Sequence, residues 1–119
     1  MSGANSFVVS LTSFLRSTPS KENIRAITAV EGFVLNKADM DKLNREHEVF
    51  RFFYTNMLEH LVTCIDDSRF KLMTYTAEQR YMAMLKEEPE LLKQVPLQYL
   101  ASILGVTPRH LSRIRASIT

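Results

Sequence analysis

The sequence predicts a mainly α-helical protein with one long helix, a pair of short helices near the C-terminus and a few N-terminal β-strands. Residues 46–69 indicate the long helix, because they contain no Pro or Gly and repeat apolar side chains at intervals of three and four. Gly105 indicates the helix pair, because it separates one apolar helical pattern from a new helix start at Thr107 and Pro108. Short apolar runs before residue 36 indicate the strands. The length of 119 residues fits one domain, or a small domain with an appendage.

The N-terminal third is expected to form strands around a single helical turn. Phe7–Val9 is an apolar run typical of a strand, and Leu11–Arg16 has the composition of one helical turn. Side chains alternate in polarity over residues 23–28, and Phe33–Leu35 is a second apolar run. The last two segments together predict a β-hairpin.

A short helix and then the long one are expected to follow. Asn36 or Lys37 is suited to cap the short helix, which carries acidic residues in its first turn and ends near Asn44. The apolar stripe of the long helix is wider than one core face requires. Two explanations fit it: a helix buried inside a monomer, or a helix with one side on its own domain and the other on a second copy of the chain. Five residues have the alternating 4-3 spacing of such a dimer seam: Phe50, Tyr54, Met57, Leu61 and Cys64.

Catalytic and metal-binding patterns are not predicted. His60 and Cys64 are four residues apart on one helical face, but two ligands do not complete a structural zinc site, so packing is the favoured role. The adjacent acids Glu87 and Glu88 have the pattern of a solvated helix end, and no phosphate-binding glycine loop or nucleophile motif occurs. We therefore expect a protein that is not an enzyme and has no cofactor.

The cysteine content and the hydropathy of the sequence indicate the cellular compartment. One cysteine cannot form an intramolecular disulfide, and no apolar run has the length of a membrane span or a signal peptide. The expected location is the cytoplasm, without a membrane partner.

After the long helix, the pattern predicts a short connecting segment of helices. Thr76 is a good N-cap with Glu and Gln in the following turn, and the helix it begins should end before Pro89. Pro89–Leu92 should add a turn of helix, and Val95 and Pro96 lead into the C-terminal pair.

The C-terminal pair has the residue placement of a helix-turn-helix. In the first helix Leu100, Ala101 and Leu104 share one face, and Gly105 supplies the positive φ of a sharp exit. Thr107 is suited to cap the second helix and Pro108 to begin it. Val106 fills the corner between the helices, and three residues of the second helix form its apolar face: Leu111, Ile114 and Ile118.

The opposite face of the second helix is predicted to be polar and basic. The net charge of the chain is only +2, but three arginines and no acid follow from Arg109 onward. Such a surface can meet phosphates and base edges in the DNA major groove. An ordinary helical hairpin with solvated arginines is the alternative. The residues on or near this face are Arg109, His110, Ser112, Arg113 and Ser117.

The segment QVPLQYLASILGVTPRHLSRIR, residues 94–115, resembles the Crp/Fnr family, the transcription regulators related to the cyclic-AMP receptor protein. In that family a cyclic-nucleotide-binding-like β-roll precedes a long dimerisation helix and a DNA-binding domain. The resemblance covers residues from about 7 onward and matches the second half of that order. It implies a fragment or a truncated relative, with an incomplete β-roll and short helix in 1–45, a dimerisation helix in 46–70 and a DNA-binding domain in 71–119.

The resemblance also implies partners and residue roles. It predicts a homodimer that binds a palindromic site in double-stranded DNA and that has RNA polymerase as a further partner. Arg113, within LSRIR, resembles a base-reading arginine, and Thr107 is placed to hold a phosphate. The alternative function is a helical protein-interaction module that has lost DNA binding.

The region that corresponds to the nucleotide-binding site of the family departs from the family pattern. In nucleotide-binding members this region resembles a Gly-Glu pair followed by an Arg beside Ser or Thr. This chain has Phe7-Val8 in place of the Gly-Glu pair and Asn23-Ile24 close to the place of the Arg pair. Arg25 is better explained as an exposed strand residue than as an anion ligand. Cyclic-nucleotide binding is not expected, and the sequence does not identify an effector.

Overall fold

The computed structural model describes residues 1–118, and within them the prediction of a mainly α-helical protein is confirmed. The helices of this part of the chain are α1 (Leu11–Arg16), α2 (Lys37–Glu46), α3 (Glu48–Thr74), α4 (Ala77–Glu87), α5 (Pro89–Gln94), α6 (Leu97–Leu104) and α7 (Pro108–Ile118). None of them is long and apolar enough to cross a bilayer.

The predicted N-terminal strands are wrong, because residues 1–118 contain no strand. A strand is held by hydrogen bonds to a neighbouring strand, and none of the described backbone bonds outside the helices links Phe7–Val9 to residues 23–35. The side chains of Phe33 and Val34 are 108% and 98% exposed. These segments have the alternation of a strand without the ladder that would form one, so the described residues contain no β-roll sheet.

The chain divides into two compact units, Met1–Val62 and the residues from Thr63 onward, and the division falls inside α3. In the first unit, the Asn36 side chain caps α2 by accepting a hydrogen bond from the Asp39 amide at 2.9 Å. Met40 of α2 and Met57 of α3 are buried. Phe53 lies against the Phe7 ring, with centroids 6.0 Å apart. Phe7, predicted to belong to a strand, therefore packs on a helix instead.

Helix α3 continues to Thr74, past the polar run at residues 66–68 that interrupts its apolar stripe. Within that run Asp66 pairs with Arg69 at 2.8 Å, and Asp67 pairs with Lys71 at 3.1 Å. Pairs three and four residues apart stabilise a helix. The acids therefore interrupt the apolar stripe without ending the helix.

The second unit holds a continuous apolar core built from α4 to α7. The predicted Thr76 cap is confirmed, as part of a capping box in which Thr76 and Gln79 bond to each other's backbone amides. The three largest fully buried side chains lie in the last two helices. The buried members of this core are Tyr81, Leu92, Val95, Leu100, Ala101, Leu104, Leu111 and Ile114.

Candidate functional site

The turn between α6 and α7 fixes the start of α7. Gly105 has φ +68°, as its sequence position predicts, and its amide donates to the Ser102 carbonyl at 3.1 Å. The Val106 amide donates to the Ala101 carbonyl at 2.9 Å. These bonds close the last turn of α6 in the manner of a left-handed C-terminal cap. Helix α7 consequently begins only a few residues after α6 ends.

One face of α7 is held rigidly by the core. Leu111 is 0% exposed and Ile114 is 5% exposed, and both pack in the cluster that contains Leu100 and Leu104 of α6. Val106, in the turn, is half-buried against the same cluster. Burial of two side chains one turn apart fixes the rotation of α7 about its own axis.

The other face of α7 carries the residues predicted to bind DNA. Thr107 accepts a hydrogen bond from the His110 amide at 3.1 Å, which makes it the cap of α7. The Ser112 hydroxyl donates to the Pro108 carbonyl at 3.1 Å, so it presents lone pairs rather than its proton to an incoming ligand. The structure exposes the residues predicted to bind DNA, which are Thr107, Arg109, His110, Ser112 and Arg113, and it exposes Ser117 as well.

Arg115 lies on a different side of α7 from Arg109 and Arg113. Its Nε donates to the Tyr81 hydroxyl at 3.2 Å, and its guanidinium carbon lies 5.7 Å from the centre of the Tyr81 ring. Arg115 is half-buried. It therefore anchors α7 to α4, an arrangement that a count of basic residues along α7 does not reveal.

Arg80 of α4 is a residue that sequence reasoning missed. Its Nη1 donates to the Tyr75 carbonyl at 2.8 Å, and its Nη2 donates to the Leu104 carbonyl at 2.6 Å. Leu104 is 24 residues away along the chain. In the sequence, Arg80 has the pattern of an ordinary solvated helix residue, and nothing local indicates its partner.

The charge of this unit is strongly uneven along the sequence. From Leu91 onward the sequence contains four cations, Lys93, Arg109, Arg113 and Arg115, and no Asp or Glu. All the acids of the second unit precede that point. The exposed face of α7 is therefore not neutralised by acids on α6, on the turn or on α7 itself.

The predicted dimer seam on α3 is partly covered by the chain itself. Met57 is 9% exposed, and Cys64 is exposed. Phe50, Tyr54 and Leu61 are half-buried. Other apolar side chains of the same helix are more open to solvent: Val49 is 82% exposed, Phe52 is 66% and Val62 is 60%.

The part of the chain that the structure describes contains no cluster of Asp, Glu, His and Cys side chains suited to bind a metal ion. Among residues 1–118, no three of them lie close enough to hold a metal ion. His60 and Cys64 are both exposed on α3.

No protein-family model, curated protein or solved structure matches this chain. The geometry of α6 and α7 is therefore the basis on which a function is proposed.

Proposed function

We propose that this chain is a sequence-specific DNA-binding transcription regulator that binds a palindromic operator as a homodimer, with α6 and α7 acting as a helix-turn-helix. One observation carries the proposal: the face of α7 opposite the core exposes Arg109, His110, Ser112 and Arg113, in a stretch without acids. A helix fixed by the core on one side and basic on the other is suited to enter a major groove.

The exposed residues divide into base-reading and phosphate-holding groups. Arg109 and Arg113 are one turn apart on α7, and a guanidinium can bond both acceptors of a guanine edge. The Ser112 hydroxyl offers lone pairs to a base amino group, and His110 lies at the flank of the same face. We assign the main base-reading role to Arg113. Further base contacts are assigned to Arg109, His110 and Ser112.

The phosphate contact is assigned to the start of α7. Pro108 has no amide hydrogen, and the His110 amide is used by the Thr107 hydroxyl. The Arg109 amide is then the donor of the first turn that remains for a phosphate, together with the Thr107 hydroxyl proton. The positive end of the helix dipole strengthens both contacts.

Dimerisation is assigned to α3. The predicted seam, from Phe50 to Cys64, is partly covered by the chain itself, so we assign the interface to the more exposed side of the helix. There a homodimer would cover apolar side chains such as Val49, Phe52 and Val62, which a single chain leaves more than half exposed. Two copies of α7 related by a twofold axis would then read two inverted half-sites.

A helical protein-interaction module is the second candidate function. The exposed apolar side chains of α3 favour it, because they fit a protein partner whether or not α7 binds DNA. The two candidates differ in what the arginines of α7 do.

A binding measurement distinguishes the two candidate functions. Fluorescence anisotropy at low salt reports binding to a labelled duplex of random sequence. We expect the wild type to bind and the double variant Arg109→Ala, Arg113→Ala to lose most of that affinity. On random sequence, where no specific base contacts form, both guanidiniums would contact phosphates, so the magnitude of the slope of log K against log salt should also fall by about 0.9 for each contact removed. The matched control is Arg16→Ala, Arg45→Ala, which removes the same charge from exposed positions of the first unit. Absence of wild-type binding, or equal losses in the two double variants, would support the interaction module instead.

A further inference from the structure

Arg80 joins two places where a helix ends. The Tyr75 carbonyl, which accepts from Nη1 at 2.8 Å, lies between α3 and α4. The Leu104 carbonyl, which accepts from Nη2 at 2.6 Å, belongs to the last residue of α6. One guanidinium therefore connects the end of the long helix to the turn that leads into α7.

The two carbonyls are natural partners for a cation. The last carbonyls of a helix have no intrahelical donor and carry the negative end of the helix dipole. At the end of α6, the Gly105 and Val106 amides bond to Ser102 and Ala101, so Leu104 receives its donor from α4. Only arginine presents two parallel donors on a fixed planar fork, since a lysine ammonium is a single point charge.

The Arg80 residue is half-buried. Its Nε is buried and has no hydrogen-bond partner. A buried donor without a partner is unfavourable, so a solvated conformation would suit this nitrogen better. The two carbonyl contacts hold the guanidinium in place despite that cost.

A second contact fastens the same elements. Lys71 of α3 bonds Glu87 of α4 at 2.8 Å and pairs with Asp67 one turn earlier at 3.1 Å. The last turns of α3 are thus tied to α4, and α4 is tied to the α6–α7 turn through Arg80.

We propose that Arg80 is a positioning residue that sets the orientation of α7 relative to the end of α3. This inference rests on the proposed function, because in a DNA-bound dimer two copies of α7 must enter their half-sites together, and the orientation of α7 within the second unit sets the geometry with which each copy does so. Arg80 does not lie on the exposed face of α7, so its effect on DNA binding would be exerted through geometry alone. Its loss should relax the spacing of half-sites that the dimer accepts.

The test compares operators whose half-sites are moved apart or together by one base pair, starting from a sequence that the wild type selects from a randomised duplex pool. Arg80→Met should lower affinity for the best-spaced operator about tenfold, comparable to one mismatched base pair, and should flatten the spacing profile. Its affinity for random duplex should not change, because the charge on α7 is intact. Arg80→Lys should behave like Arg80→Met, since it cannot bond both carbonyls.

The matched control is Arg69→Met, which removes an arginine of α3 whose guanidinium bonds Asp66 in its own helix. It should leave the spacing profile unchanged. A wild-type profile in Arg80→Met would overturn the inference. Equal losses on operator and random duplex, together with a lowered melting temperature, would also overturn it by showing a role in stability alone.

Hydrogen exchange gives a readout that does not involve DNA. Amides of residues 105–111 should exchange faster in Arg80→Met than in Arg69→Met at equal melting temperature. Unchanged exchange would overturn the positioning role. If the wild type selects no sequence from the pool, the proposed function fails, whereas the exchange measurement still decides whether Arg80 holds the α6–α7 turn.

Discussion

Gly105 controls the path of the chain into α7 through its backbone conformation. Its φ of +68° is strained for any residue with a Cβ, yet a Cβ built there would have no heavy atom within 4 Å. The strain of Gly105→Ala would therefore come from the backbone alone. We expect Gly105→Ala to lower the free energy of unfolding by about 1–2 kcal/mol, measured by urea denaturation.

Gly32→Ala is the control for this prediction, because position 32 is equally open and does not have a φ in the left-handed region. It should leave the free energy of unfolding unchanged within about 0.5 kcal/mol. Equal effects of the two substitutions would show that the left-handed turn is not what Gly105 provides.

Residue roles that depend on neighbours in sequence were predictable, and those that depend on distant neighbours were not. The caps at Asn36, Thr76 and Thr107 bond to amides three residues away, within reach of a local pattern. Arg80 and Arg115 bond to partners 24 and 34 residues away. Sequence spacing contains no information about such contacts, so both arginines appeared to be ordinary charged residues.

Helices could be predicted from the sequence better than strands, and the reason is again whether the contacts are local. A helix is completed by its own residues, which is why the start of α2 and the ends of α4 and α6 were close to their predicted positions. A strand is completed by another strand, so the alternation over residues 23–28 and the apolar run Phe33–Leu35 are not sufficient evidence for one. Helix α3 ends at Thr74, a few residues beyond the predicted end at about residue 69, and the ion pairs of Asp66 with Arg69 and of Asp67 with Lys71 stabilise its last turns.

The ion pairs of Lys71 link α3 to α4 and should make stability depend on pH. The hydrogen bond that the Lys71 ammonium donates to Glu87, and then the one that it donates to Asp67, raise the pKa of Lys71 above its ordinary value of 10.5. A raised lysine pKa means that the stabilisation is complete below pH 10.5 and is lost as pH rises through the higher folded value. Lys71→Met should lower the free energy of unfolding at neutral pH by up to about 1 kcal/mol.

Denaturation of the wild type and Lys71→Met at a series of pH values checks this expectation. The difference between them should be constant from neutral pH to about 10 and should shrink at higher pH. A difference that stays the same well above the ordinary lysine pKa would contradict a role for the charged ammonium.

The whole molecule is expected to be at least a dimer, since α3 exposes apolar side chains that a single chain does not cover. Phe52→Lys tests this expectation well, because Phe52 is 66% exposed and its replacement leaves the core of the chain untouched. An unpaired charge in the interface should convert the dimer to a folded monomer. Met57→Lys, at a position only 9% exposed, should disturb folding as well.

Light scattering at tens of micromolar protein measures whether each variant is a monomer or a dimer. Circular dichroism shows whether the variant keeps its helix content. Thr12→Lys adds the same charge at an exposed polar position of α1, outside α3, and should leave the dimer intact. A wild type that is already monomeric at this concentration would rule out α3 as a dimer interface.

Selection from a randomised duplex pool shows whether this chain reads DNA through α7 as a twofold dimer. The enriched sequences should be palindromic, with half-site centres about 10–10.5 base pairs apart or at a multiple of that spacing. Arg113→Ala should relax the preference at one position of each half-site and cost about 1–3 kcal/mol on the selected operator. Failure of a folded, dimeric wild type to enrich any sequence would contradict the proposed function.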